Sequence, residues 1–405
     1  MGEHSTIIFI TLLIFTFGLF SKISDNSPIT APMVFVFIGI LFGPLFLDFF
    51  HLEIKGELIH TITEITLILI LFVDASTINL KKLLEDRQIP QNLLLIGLPL
   101  TMIFGSFIGY LIYPDIQIWL LILMALILSP TDAALGQAVV KSKNVPEKIR
   151  RWISVESGLN DGIALPLIFA CLAILTADSN STTQHHWFLF LLQQIIFGVI
   201  IGSLVGWIGG YLVDKCSHFN WMNHTFQRLV SFSLALLCFS LAELVHGNGF
   251  IAAFCGGLML GVSTKTEAIK ERIQEFGEAE GQQLILFVFL IFAMVMVPIA
   301  VDYWDIRALL YAILSLTIIR MIPVAISLIG KKLDLYTIVF IGWFGPRGIA
   351  SVLYLLLVVK TVGIEGYEYI LSTIVLTILI SVFAHGVSAI PLSLFYKNST
   401  KITKQ

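Results

Sequence analysis

Charge is what this chain has least of. Asp, Glu, Lys and Arg make up 13% of its 405 residues, against roughly 25% in a soluble domain. A chain of this length with so little polar cover does not read as a water-soluble fold. Short stretches alternating strictly between apolar and polar residues are missing as well, which argues against a membrane β-barrel. There is no basic tract, and the net charge is only −3, so nothing points to nucleic acid as a partner. Cysteine is scarce. Cys171, Cys216, Cys238 and Cys255 form no C-x-x-C or Cys/His metal spacing and read as packing residues. The N-terminal run Thr6–Phe20 has no basic residue before it and no clear cleavage site, so it reads as a first membrane segment rather than a cleaved signal.

What the chain has instead is apolar sequence from end to end. Runs long enough to cross a bilayer number about thirteen. They lie near 6–20, 30–49, 58–74, 91–113, 116–140, 152–177, 187–213, 229–246, 248–262, 282–301, 305–329, 335–359 and 366–396. The eighth and ninth are separated only by Gly247 and Asn248 and could form one bent unit. The polar connection at about Ser263–Gly281 could hold an amphipathic surface helix over Thr266–Phe276, and Asp178–His186 reads as a polar outer loop. The expected class is an all-α polytopic membrane protein embedded in the lipid bilayer. Basic residues support the count. Nineteen Lys and Arg fall on one side of the alternating connections and three on the other. By the positive-inside rule the N-terminus is then outside and the C-terminus cytoplasmic. The two basic residues left over, Arg320 and Arg347, lie in mid-segment.

Acids lie in mid-segment too. The sixth segment carries Ser154-Val155-Glu156-Ser157-Gly158-Leu159-Asn160-Asp161-Gly162. Ionisable groups at bilayer depth cost roughly 2.5–3.5 kcal/mol each even on lenient insertion scales, so they face protein or water and mark ion or proton paths. Helical spacing sorts them into two stripes. Ser157 and Asp161 are four apart on one, and Glu156 and Asn160 are four apart on the next. One stripe can hold an ion while the other is anchored to the protein. Glu156 is therefore expected to pair with a buried arginine, Arg320 first and Arg347 as the alternative. Glu64 and Glu243 read as helix-packing or cavity residues. Nothing singles out any of the nine histidines.

Two segments should break. In Ser129-Pro130-Thr131-Asp132, Pro130 cannot continue the backbone ladder and disfavours helix at Ser129. Freed carbonyls, the Thr131 hydroxyl and the Asp132 carboxylate make an oxygen-rich site suited to a hard cation. The twelfth segment has a matching interruption at Gly345-Pro346-Arg347-Gly348. Irregular backbone at membrane depth is tolerated only where it is buried or lines a cavity. Two broken, charged segments in distant halves are the pointer to an inverted-repeat transporter, with its site where the breaks meet.

These residues resemble a family. Ser-Pro-Thr-Asp, Glu-Ser-Gly-Leu-Asn-Asp-Gly and Gly-Pro-Arg-Gly look like the NhaP branch of the monovalent cation–proton antiporters, the branch that includes the eukaryotic sodium–proton exchangers. The resemblance covers nearly the whole chain. It implies an inverted-repeat fold in which two broken helices cross near the bilayer midplane, working as a homodimer in the plasma membrane. It implies one transmembrane unit over 1–396. The transport core is built around about 91–177 and 305–396 plus 58–90, and the dimerisation part around about 1–49 and 187–301. Residues 397–405 form a short cytoplasmic tail. By motif, Asp161 corresponds to the ion- and proton-binding carboxylate, with Asp132, Ser157 and Thr131 as companion ligands of Na+. Asn160, Glu156, Arg320 and Arg347 match the supporting network. Asp74 falls where many relatives have Glu in a Leu-Phe-x-Glu-Gly pattern, so the shorter acid is a further candidate. Ala133 replaces a proline that many relatives carry after the Thr-Asp pair.

The implied activity is transport rather than catalysis, without a cofactor: Na+ or Li+ is exchanged for H+. Two carboxylates in one partly desolvated site resist double ionisation, so a cation and a proton compete for the same negative charge. With Asn160 leaving one exchanging carboxylate, one cation for one proton carries no net charge. Oxygen ligands suit K+ as well, so K+/H+ exchange is the alternative within the family. Outside it, an intramembrane aspartyl protease would need a Gly-x-Gly-Asp context that is absent, and a cation channel would need a repeated pore loop.

Overall fold

The computed structural model describes residues 3–25, 27–49, 57–78, 88–132, 135–140, 142, 144–176 and 184–402. Those residues are helices and short connections, with no strand among them. In chain order the helices are α1 (Glu3–Asp25), α2 (Ala31–Phe42), α3 (Glu57–Thr77), α4 (Gln88–Ile112), α5 (Ile118–Ile127), α6 (Gln137–Val140), α7 (Glu147–Thr176) and α8 (Gln184–His218). There follow α9 (His224–Leu244), α10 (Gly249–Ser263), α11 over 267–301, α12 (Ile306–Ser327), α13 (Leu335–Trp343), α14 (Ile349–Val362) and α15 (Glu368–Ile402). Among the described residues, seven helices are long and apolar enough to cross a bilayer, and five shorter apolar stretches accompany them. Leu204, Trp207, Ile208, Tyr211 and Leu212 on α8 are about half exposed, as side chains facing lipid would be.

Local chemistry shapes the helices. In both α4 and α11 the backbone widens into a single π turn just ahead of a proline, at Leu93–Gly97 before Pro99 and at Phe292–Met296 before Pro298. A proline ring collides with the carbonyl four residues back, and a wider turn relieves that contact without ending the helix. The expected surface helix and tenth segment are one helix: α11 starts at Glu267 and runs through Gly281 to Val301. The eighth and ninth segments are two helices. Their corner is built by Asn248, which accepts N–H bonds from Phe250 and Ile251, and by Glu243, which accepts from Gly249 at 2.9 Å. Glu243 is exposed and serves as a cap at this corner, neither packed in the interior nor grouped with the other acids. The expected outer loop lies largely outside the described residues, as does Ala133.

Small residues allow the closest approach. Gly198, Gly202 and Gly206 recur every fourth residue on α8 and lie directly on Asn248, Ala252 and Gly256 of the α10 strip, so an added Cβ would strike backbone. This is how helices bind one another where lipid removes the hydrophobic incentive. Helix α3 packs in the same way on Gly257 and Gly261 of α10, through the carbonyls of Phe72 and Ser76. It also faces α7 at Gly158, beside the Asp74 carbonyl. The helix grouped by resemblance with the core thus lies between α10 and α7. The interior around α5, α7, α14 and α15 is apolar, with Met124, Ile127, Leu165, Ile168, Leu353 and Ile374 all buried.

Candidate functional site

The two broken segments meet. Helix α5 ends at Ile127, and the chain stays extended or bent through Asp132 before α6 begins. Helix α13 ends at Trp343, and α14 starts only at Ile349. The connections are knitted together: Asp132 N–H donates to the Pro346 carbonyl at 2.9 Å, and Ser351 Oγ donates to the Ile127 carbonyl at 2.7 Å.

Each break carries the charge that the other break needs. A helix end exposes unpaired carbonyls at its C-terminus and unpaired N–H groups at its N-terminus. Arg347 Nη1 donates to the carbonyls of Ser129 at 3.0 Å and Gly345 at 3.3 Å, so its cation covers the C-terminal side of the α5 break. Asp132 Oδ2 accepts the Ile349 N–H at 2.7 Å, so its anion caps the start of α14. Arg347 is fully buried and is held by backbone carbonyls. Its own N–H donates to Ser381 Oγ at 2.7 Å. Gly345 is required here, because a Cβ would lie 2.6 Å from Arg320 Nε and 2.8 Å from Thr131 Cγ2.

Helix α7 runs past this crossing and presents both stripes to it. On one, Glu156 forms an ion pair with Arg320 of α12 at 2.6 Å, with side chains 3% and 1% exposed. The first of the two expected pairings is the one formed. On the same stripe Asn160 Nδ2 donates to Thr131 Oγ1 at 2.8 Å and to the Thr131 carbonyl at 3.2 Å. On the other stripe Ser157 Oγ shares a hydrogen bond with Thr131 Oγ1 at 2.9 Å. Asp161 follows one turn later, buried, with Oδ1 lacking a hydrogen-bond partner among the described residues. Asp74 and Asp132 lie close enough for their charges to act on it, and the Tyr354 phenol stands within hydrogen-bonding reach of its carboxylate. The structure thus brings together Thr131, Asp132, Ser157, Asn160 and Asp161, with Asp74 approaching from α3. Glu64 stands apart, paired with Lys360 of α14 at 2.9 Å in a partly exposed contact.

Three residues of this neighbourhood went unread in the sequence. Ser351 and Tyr354 are three apart on α14 and share a face, a polar pair in an otherwise apolar run that the helical period could have flagged. His385 is buried on α15, with Nε2 3.0 Å from the Trp343 carbonyl and Nδ1 3.1 Å from Ser381 Oγ, the hydroxyl that receives the Arg347 N–H. Its position in mid-segment was the available signal.

Chemically, this is a buried cluster of oxygen donors around a carboxylate, flanked by Arg320 paired with Glu156 and by Arg347 held on backbone carbonyls. Solved and curated proteins resemble the chain as a whole. The fold superposes on that of the sodium proton antiporter MjNhaP1 from Methanocaldococcus jannaschii with a TM-score of 0.80 at 20% identity, covering 97% of this chain and 99% of that one. A Na(+)/H(+) antiporter of Schizosaccharomyces pombe is 23% identical over 78% of this chain and 70% of its own length. Na(+)/H(+) antiporter 2 of Zygosaccharomyces rouxii is 26% identical over 83% of this chain, and the K(+)/H(+) antiporter NhaP2 of Shewanella sp. (strain ANA-3) is 22% identical over 66%. The chain spans less than half the length of these last two. The family model for the transmembrane sodium/hydrogen exchangers matches residues 8–394, nearly the whole chain, and the protein belongs to that family.

Proposed function

We propose that this protein exchanges Na+ or Li+ for H+, one for one, by alternating access, with cation and proton competing for Asp161. The observation that carries the reading is the buried Asp161 carboxylate, one helical turn beyond the Ser157–Thr131 hydroxyl pair and within range of the charges of Asp74 and Asp132. An isolated anion in such a place is too costly to persist. It must hold a proton or a cation, and a site that crosses only when so loaded does not leak.

Thr131, Ser157 and Asp161 supply oxygen to the cation, and Asp74 adds negative charge. Asp132 contributes through the crossing, since one of its oxygens caps α14. Asn160 locks Thr131 in place and adds no second exchanging charge. The cycle then moves no net charge, so it draws on the pH gradient at about 1.4 kcal/mol per unit and not on the potential, worth about 2.3 kcal/mol per charge per 100 mV. K+ is the alternative cargo, consistent with the similarity to the Shewanella K(+)/H(+) antiporter. We further place the protein as a homodimer in the plasma membrane, N-terminus outside.

Purified protein in proteoliposomes tests the reading. A Na+ gradient should drive saturable proton movement that is indifferent to clamping the potential with valinomycin and K+. Movement that requires the clamp overturns the electroneutral cycle. Absence of a response to Na+ and Li+, with K+ active, moves the cargo to K+.

A further inference from the structure

The break between α13 and α14 is gripped from a third side. Ser381, His385 and Ser388 lie at i, i+4 and i+7 on α15 and share one face. All three reach the break. Ser381 Oγ accepts the Arg347 N–H at 2.7 Å, His385 Nε2 lies 3.0 Å from the Trp343 carbonyl, and Ser388 Oγ accepts the Trp343 indole N–H at 2.9 Å. The imidazole also lies against the indole, with ring centroids 4.9 Å apart. Ser381 and His385 are buried.

A broken helix leaves backbone groups over on both sides of the break, and at membrane depth each needs a partner within the protein. Trp343 ends α13. Its carbonyl takes the Gly345 N–H at 2.8 Å on one lone pair, and His385 meets the other. A carbonyl only accepts, so Nε2 carries a proton in this contact. Nδ1 faces Ser381, 3.1 Å from its hydroxyl and 3.0 Å from its carbonyl. The same hydroxyl receives the Arg347 N–H on the α14 side. One ring therefore links the last residue of α13 to the amide of Arg347. A leucine would fill the space and hold neither end.

What is held there reaches the opposite break. Arg347 Nη1 donates to the Ser129 carbonyl, and the Pro346 carbonyl accepts the Asp132 N–H. Thr131 lies between those two attachment points in the chain. A shift of the α13–α14 break therefore displaces the Thr131 hydroxyl relative to α7, where Ser157 and Asp161 stand.

We propose that His385 is a positioning residue for exchange. Its Nε2–H bond to Trp343 and its contact with Ser381 hold the α13–α14 break in place, and through the break they set Thr131 against Asp161. The inference rests on the reading of Thr131 and Asp161 as the cation site. The ring carries no cation and no transported proton; it fixes the geometry of groups that do.

Two variants in proteoliposomes test this. His385→Leu should raise the apparent KM for Na+, or for K+ if that is the cargo, about ten- to hundredfold. His385→Gln, whose amide nitrogen lies about as far along the side chain as Nε2, should bring KM back close to wild type. A role in folding alone lowers yield and melting temperature but leaves the KM of the folded protein unchanged, so an unaltered KM in His385→Leu overturns the proposal. A KM raised equally in both variants overturns it too. Loss of proton movement in His385→Gln at saturating cation makes the ring a proton carrier and overturns it as well. Should His385→Leu fail to fold, His385→Asn takes its place, polar but one methylene too short to reach the Trp343 carbonyl. Hydrogen–deuterium exchange over 343–349 in detergent needs no transport: it should quicken in His385→Leu and stay at the wild-type rate in His385→Gln, and an unchanged rate in His385→Leu overturns the bracing. A wild type that moves no protons with Na+, Li+ or K+ refutes antiport, and exchange over 343–349 then decides by itself whether His385 braces the break.

Discussion

Removing the carboxylate of Glu156 should unfold this protein more readily than any other single charge neutralisation in it. The Glu156–Arg320 pair is 2.6 Å long and sealed, with 3% and 1% of the side chains exposed. Glu156→Gln keeps the volume but strands the Arg320 cation. Breaking a buried pair in this way costs about 3–5 kcal/mol. The cost of an arginine at bilayer depth, about 2.5–3.5 kcal/mol on the lenient scale, leads independently to the same range. Arg347 cannot relieve the stranded charge, because its guanidinium is already held by the Ser129 and Gly345 carbonyls and is itself cationic. The internal control is Glu64→Gln. That pair with Lys360 is 2.9 Å long, but its side chains are 34% and 47% exposed, so its loss should cost at most about 1 kcal/mol. Equilibrium unfolding in mixed micelles with rising SDS fraction measures both variants against wild type. The reasoning fails if Glu156→Gln costs no more than Glu64→Gln. Replacing Glu156 and Arg320 together by Leu and Met should recover much of the loss, because both charges then leave the interior.

Three further outcomes follow from the site. Asn160→Asp adds a second carboxylate while losing the Thr131 hydrogen bonds, and proton movement in proteoliposomes should become sensitive to membrane potential. Gly345→Ala places a Cβ 2.6 Å from Arg320 Nε and 2.8 Å from Thr131 Cγ2; the protein should lose exchange and melt at lower temperature, and a fully active Gly345→Ala would show that the crossing is looser than the distances indicate. Where protons outcompete the cation, the apparent KM for Na+ should rise about tenfold for each unit of falling pH while the maximal rate stays constant, as direct competition for one group requires. A maximal rate that falls with KM unchanged would place the proton elsewhere.

The breaks were legible because Pro130 and Pro346 act through local backbone chemistry. The Glu156–Arg320 pair was legible because so few charges sit in mid-segment that the possible partners were two. Less visible was the way Arg347 and Asp132 each serve the opposite break, since this depends on how two distant segments cross. The continuity of α11 was hidden because Gly281, Gln282 and Gln283 imitate a segment boundary, yet helix persists through them. Tyr354 was hidden because a tyrosine in an apolar run looks like packing until its hydroxyl is seen beside Asp161. Asp74 could be placed near a segment end from the sequence, but its reach toward Asp161 required knowing that α3 lies between α10 and α7.

The central claim is that one carboxylate trades a proton for a cation. Adding NaCl to the purified, weakly buffered protein near neutral pH, and reading released protons with a pH indicator, tests it without any membrane. The account predicts release of about one proton per bound cation, fading at alkaline pH and absent in an Asp161→Asn variant that still folds. Cation binding with no proton released, or undiminished release from Asp161→Asn, would contradict it.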